Sequence, residues 1–118
     1  MDYARIGAIL GFLGVALGAF GAHALRDRLE PSLLQAWNTG VLYHLLHAVA
    51  LFALGLHARA TDTAPGPGAA LLLAGVLVFS GSLYALALTG LRPLGAITPV
   101  GGLLLLAGWA WIAAKSAS

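Results

Sequence analysis

The chain has 118 residues, of which 60% are hydrophobic and 8% charged, with a net charge of +2 and no cysteine. Soluble domains carry about 25% charged residues, so the side chains that would clothe a water-soluble bundle are missing. Without cysteine there are no disulfides, thiolate nucleophiles, iron–sulfur clusters or thioether-linked haem. The basic residues form no run that would hold nucleic acid, so no nucleic-acid partner is expected.

A bilayer core about 30 Å thick needs about 20 helical residues. The first uncharged stretch of that length is residues 6–25. Gly7, Gly11, Gly14, Gly18 and Gly21 recur in it at intervals of four, three, four and three, which is one stripe on an α-helix. In water each interior glycine costs about 0.8–1.0 kcal/mol relative to alanine. In lipid the same stripe lets a neighbouring helix approach until backbones touch. The stripe is therefore a predicted helix-packing face, with a flat wall against a lipid tail or planar cofactor as the alternative. Arg5 before the stretch and Ala22-His23-Ala24 near its end have the look of a signal peptide, but the glycine face would be wasted on a discarded segment. The stretch reads as a retained helix.

Residues 26–36, RDRLEPSLLQA, follow. Arg26, Asp27, Arg28 and Glu30 belong in water or headgroups, while Leu29, Leu33 and Leu34 make an apolar edge. The segment reads as a short amphipathic interfacial stretch, with Pro31 opening the next helix and Trp37 anchoring it at the interface. The second span is residues 37–58 and the third 69–91, separated by the breaker cluster ATDTAPGPG at residues 60–68. The fourth span, residues 94–114, follows a tight turn in which Gly90 caps the third helix in a left-handed conformation and Pro93 suits the start of the fourth. Pro99 should bend the fourth helix. Trp109 and Trp111 read as interfacial anchors, and Arg92 as a snorkelling loop charge or a lipid-phosphate ligand. The predicted fold is all-α, a single transmembrane domain over residues 1–118 built as an integral membrane four-helix bundle.

Four spans place both termini on one side of the membrane. Arg5, Arg59 and Lys115 on that side balance Arg26, Arg28 and Arg92 on the other, so the positive-inside rule selects neither orientation. The free amino terminus favours cytoplasmic termini.

Polar groups within the spans are the functional clue. His23, Asn38, Thr39, Tyr43, His44, His47, Tyr84, Thr89 and Thr98 fall in the half of the membrane near Arg26 and Arg92, with Ser80 and Ser82 near the midplane. Gly40, His44 and His47 share a face of the second helix. At 1.5 Å per residue, His47 lies about 15 Å from Trp37, close to mid-bilayer. Four readings compete, in this order. The histidines are interhelical hydrogen-bonding glue. They line a polar cavity with Asn38, Tyr43, Ser82, Tyr84, His23 and Arg92. They ligate a metal or haem, for which a third strong ligand is lacking. Or they serve catalysis, for which no Ser-His-acid set exists within the membrane. No metal, no cofactor and no enzymatic activity are expected.

Four ordered blocks carry a resemblance. They are GAFGAHAL at residues 18–25, W-N-T-G-V-x-Y-H-x-x-H-A at 37–48, FSGSLYALALTG at 79–90, and LGAITPVGG-x4-AGW at 94–109. Together they resemble the YgdD/YwdK-type family of small bacterial inner-membrane proteins of unknown function, to which the mitochondrial transmembrane protein 256 is similar. His23 and His47 fall on the family pattern, whereas at position 44 members often carry another polar residue. The resemblance implies a four-helix, multi-pass protein of the bacterial inner (plasma) membrane and implies no activity. Two functional classes follow. One is a structural or accessory helix-packing protein, alone in the lipid bilayer, as a homo-oligomer or within a larger membrane complex. The other is a small transporter, channel or ligand-binding protein with its site in the polar half.

Overall fold

The computed structural model describes residues 1–116. Its helices are α1 (Tyr3–Phe20), extended by a π turn (Gly21–Leu25), α2 (Pro31–Thr61), α3 (Pro67–Thr89) and α4 (Thr98–Ser116), the last preceded by a 3-10 turn (Arg92–Ala96). Four segments are long and apolar enough to cross a bilayer: Tyr3–Leu25, Pro31–Thr61, Pro67–Thr89 and Arg92–Lys115. Their outward faces carry bare hydrocarbon. Phe12, Val15, Leu103 and Leu106 are each at least 65% exposed, which suits lipid tails and not water.

Local chemistry sets the helix ends. Asp2 caps α1 through its carboxylate, which accepts from the Arg5 N–H at 3.2 Å. Pro31 and Pro67 occupy the first turns of α2 and α3, where a missing N–H is no loss. Gly90 ends α3 at φ +71°, the left-handed cap expected of it, and its N–H returns to the Leu86 carbonyl at 2.8 Å.

The helix that Pro31 opens is α2 itself, which runs through Trp37 without a break, as the sequence reading has it. Two sequence expectations change here. Trp37 is not an interfacial anchor, being 2% exposed and packed between Phe20 and Tyr84. Pro99 does not bend the fourth helix, because the 3-10 turn takes up residues 92–96 and α4 begins only at Thr98, leaving Pro99 in its first turn.

The main contacts follow chain order, α1 on α2, α2 on α3 and α3 on α4. The bundle is a folded row with α2 and α3 inside. One apolar cluster centres on Leu10, Ala48, Leu51, Leu72, Val76 and Leu105, and a second on Leu25, Trp37 and Ala87. Small residues let the helices touch. A Cβ on Gly55 would strike the Ala4 backbone, one on Gly7 would strike Phe52 and Ala48, and one on Gly101 would strike the Phe79 backbone. Such approach is the means by which helices associate in lipid.

The glycine stripe of α1 lies against α2 of the same chain, but unevenly. Gly7, Gly14 and Gly21 are seven residues apart, and a Cβ on any of them would come within 2.6 Å of α2 atoms. Gly18 is looser, with Val41 Cγ1 at 3.2 Å, and Gly11 has nothing within 4 Å. A seven-residue repeat holds one line of positions against a partner helix, and Gly11 lies to its flank. Gly11 is therefore not a packing residue within this bundle.

Candidate functional site

Cross-helix hydrogen bonds converge on α2, which lies between α1 and α3. His44, 6% exposed, places Nε2 2.8 Å from the Leu10 carbonyl of α1 and Nδ1 2.8 Å from the Tyr84 hydroxyl of α3. A carbonyl only accepts, so Nε2 carries the proton, and Nδ1 of the neutral ring accepts from Tyr84 O–H. Trp37 makes the parallel contact one heptad earlier, its indole N–H donating to the Leu17 carbonyl at 3.0 Å.

Both acceptors already serve the α1 ladder and are reachable for a shared reason. In a helix the side chain four residues on stands over the carbonyl. Four residues after Leu10 is Gly14, where a Cβ would lie 3.2 Å from His44 Cδ2, and four after Leu17 is Gly21, where it would lie 2.5 Å from Trp37 Nε1. Bare glycines thus open two α1 carbonyls to two donors of α2. The α1 helix widens into its π turn at Gly21, beside the indole. A side chain set against a helix ladder is an established cause of such irregularity.

His47, 5% exposed, turns to the other side of the bundle. Its Nδ1 donates to its own helix at the Tyr43 carbonyl, 2.7 Å away, and its Nε2 accepts from the Trp109 indole N–H of α4 at 3.0 Å. The two histidines therefore hold opposite tautomers and different partners, although the spacing predicted a shared face. They do not converge on a common point. Among the described residues no group of three or more His, Cys, Asp or Glu side chains is placed to hold a metal.

Hydroxyls complete the network. Ser80 Oγ donates to the Gly40 carbonyl at 2.8 Å, and Ser82 Oγ meets Thr98 Oγ1 at 2.6 Å, joining α3 to α4. No buried side-chain nitrogen or oxygen among the described residues lacks a partner.

The residues predicted to share one polar site thus divide. His44 and Tyr84 meet in the seam of α1, α2 and α3. Tyr43 and His47 stack at 6.2 Å beside Phe79 and Trp109. Ser82 belongs to the α3–α4 seam. His23 and Asn38 are exposed outside these groups. Arg92 sits on the surface, 3.5 Å from Glu30. Trp109, expected as an interfacial anchor, is a hydrogen-bond donor within the bundle. Trp111 keeps to the bundle end, over Gly66 and beside Lys115. The sequence reading missed three partnerships: Trp37 with Leu17, Trp109 with His47, and an ion pair between Asp2 and Arg59 at 2.6 Å.

Comparison with known proteins agrees with this architecture. The family model described as protein of unknown function (DUF423) matches residues 17–102. The UPF0382 membrane protein YwdK of Bacillus subtilis is 45% identical, over 91% of this chain and 89% of its own length. A UPF0382 membrane protein of Haemophilus influenzae is 42% identical, over 91% and 86%. One from the yeast Schizosaccharomyces pombe is 40% identical, over 90% and 93%. No solved structure matches the chain.

Proposed function

The chain belongs to the DUF423 family of unknown function, and we propose that it acts in the bacterial plasma membrane as a structural or accessory helix-packing protein without catalytic activity of its own. The observation that carries this reading is the satisfied interior. His44 and His47 have both ring nitrogens engaged, and every buried side-chain nitrogen or oxygen among the described residues is partnered. Groups spent on holding helices together are not free to pass a proton or grip an ion. Bacterial relatives support the plasma membrane, and the wide apolar outer faces support lipid, a second copy or a larger membrane complex as neighbours.

Liposomes loaded with a pH-sensitive dye test the proposal. Wild-type protein and His47→Gln should both leave proton permeability at the level of empty liposomes, while Gly7→Leu should lower the thermal unfolding midpoint in detergent by many degrees. A pH-dependent flux that disappears in His47→Gln would replace the packing role with transport. A Gly7→Leu protein as stable as wild type would remove the basis of the packing role.

A further inference from the structure

One polar group near mid-membrane is not spent on packing. Leu46 stands midway along α2 (Pro31–Thr61), and Tyr43 is three residues, about 4.5 Å, before it. The middle of the first span agrees with that level, since Gly14 lies against His44 and Leu45. Tyr43 is 37% exposed, and its hydroxyl has no hydrogen-bond partner among the described residues. A hydroxyl left so in hydrocarbon is unfavourable.

Tyr43 lines a groove of about 490 Å³ between α2 and α4, with Phe79 as its floor and His47, Gly102, Leu103 and Trp109 around it. Volumes of roughly 300–1,000 Å³ suit small molecules. The groove opens toward lipid, where Leu103 is 67% exposed, so its occupant arrives from the bilayer. No Asp, Glu, Lys or Arg lines it, so the occupant is uncharged. The ring nitrogens of His47 and the Trp109 N–H are already engaged, which leaves the Tyr43 O–H as donor. A phospholipid does not supply the acceptor, because its ester carbonyls lie at the edge of the hydrocarbon, about 15 Å from the midplane. The missing acceptor belongs on a flat, neutral, lipid-soluble body that lies among aromatic rings.

We propose that this groove binds a neutral, lipid-soluble molecule with a quinone-type headgroup, its ring laid against Phe79 and Trp109 and a ring carbonyl accepting a hydrogen bond from Tyr43. The site adds ligand recognition to the packing role and does not depend on it.

The test uses the full chain in phosphatidylcholine nanodiscs, titrated with a benzoquinone carrying a decyl tail and followed by tryptophan fluorescence. Wild type should show saturable quenching at one quinone per chain. Tyr43→Phe should weaken it about tenfold. Gly102→Leu should abolish the saturable phase, since a Cβ there meets Phe79 only at 3.9 Å and the longer side chain fills the groove without striking backbone. Gly81→Leu, outside the groove and with nothing within 4 Å of its Cβ, should bind as wild type. Decylbenzene, which has no carbonyl, should compete at least about tenfold less well on the wild-type protein, a measurement that needs no folded variant. The proposal is overturned by quenching that rises linearly, as for partition into lipid, by equal competition from decylbenzene, or by binding unchanged in a folded Tyr43→Phe. It is overturned equally if no saturable phase appears and Gly102→Leu converts a dimer to a monomer, which would give the groove to a second copy.

Discussion

The two ends of the bundle are closed by different forces. At the end that carries the termini, backbones press together. Gly55 meets Ala4, Gly7 meets Phe52, Gly68 and Gly108 make room for Ile112 and Leu72, and the Asp2–Arg59 ion pair lies outside. Toward the other end, donors reach across: Trp37 to Leu17, His44 to Leu10 and Tyr84, Ser80 to Gly40, Ser82 to Thr98. Lipid tails are as apolar as leucine, so burying leucine gains little within a membrane. What remains is close contact, which is dense and unforgiving, or hydrogen bonding, which is directional and contributes modestly per bond. This chain uses the first where side chains are smallest and the second where polar ones collect.

The contrast breaks most easily at the dry end. Gly55→Ala drives a methyl group into the Ala4 backbone, where nothing flexible can yield, and should lower stability by about 3 kcal/mol, read from unfolding of the detergent-solubilised protein. Trp37→Phe comes next. It keeps most of the ring but loses the bond to Leu17 and leaves a void, so about 1–3 kcal/mol should be lost. Hydrogen exchange at the π turn would show whether Gly21–Leu25 depends on the indole. Smaller still is the coupling between Ser82 and Thr98. A double-mutant cycle with Ser82→Ala and Thr98→Val should give about 0.6 kcal/mol, the usual worth of such a bond in a membrane.

Two further experiments sharpen the comparison at its margins. Gly11→Ala should be neutral or stabilising by up to about 1 kcal/mol, since its methyl group meets nothing within 4 Å and helix propensity improves. The same substitution thus has opposite consequences at Gly55 and Gly11. Acidification probes the Asp2 cap. The Arg5 N–H first, and the Arg59 guanidinium second, hold the Asp2 carboxyl below its ordinary value of 3.8. A carboxyl depressed by folding contributes stability that is whole above its unfolded value and is lost as pH falls through the folded one. The unfolding midpoint should therefore drop below about pH 4 by an amount that Asp2→Asn abolishes. Because the pair is exposed, salt should shrink the effect.

The spans were legible because membrane helices declare themselves by what they lack, and four uncharged runs leave little choice of fold. Pro31 and Gly90 were legible as helix ends because each answers to a local backbone rule. Partners across the bundle were not. A tryptophan near the end of an apolar run ordinarily sits among headgroups, and only the third dimension reveals that Trp37 faces a bare stretch of α1. The bond from Trp109 to His47 was hidden for the same reason. Gly11 looked equivalent to Gly7 and Gly14 because spacing along one helix does not disclose the register of the helix it meets. The spacing of His44 and His47 suggested one shared face and concealed that one turns to α1 and α3 and the other to α4.

The opened carbonyls of α1 have a consequence for inheritance. Gly21 and Trp37 form a mutually dependent couple: a bulkier residue at the glycine shuts out the donor, whereas once the donor is gone the glycine loses its reason to stay small. Gly14 is not bound to His44 in that way, because the Leu45 side chain crowds it more closely. The Gly21–Trp37 couple should drift as a unit, so that a descendant with a shrunken residue at 37 becomes permissive at 21, and epistasis between distant codons would record a contact that neither codon reveals alone.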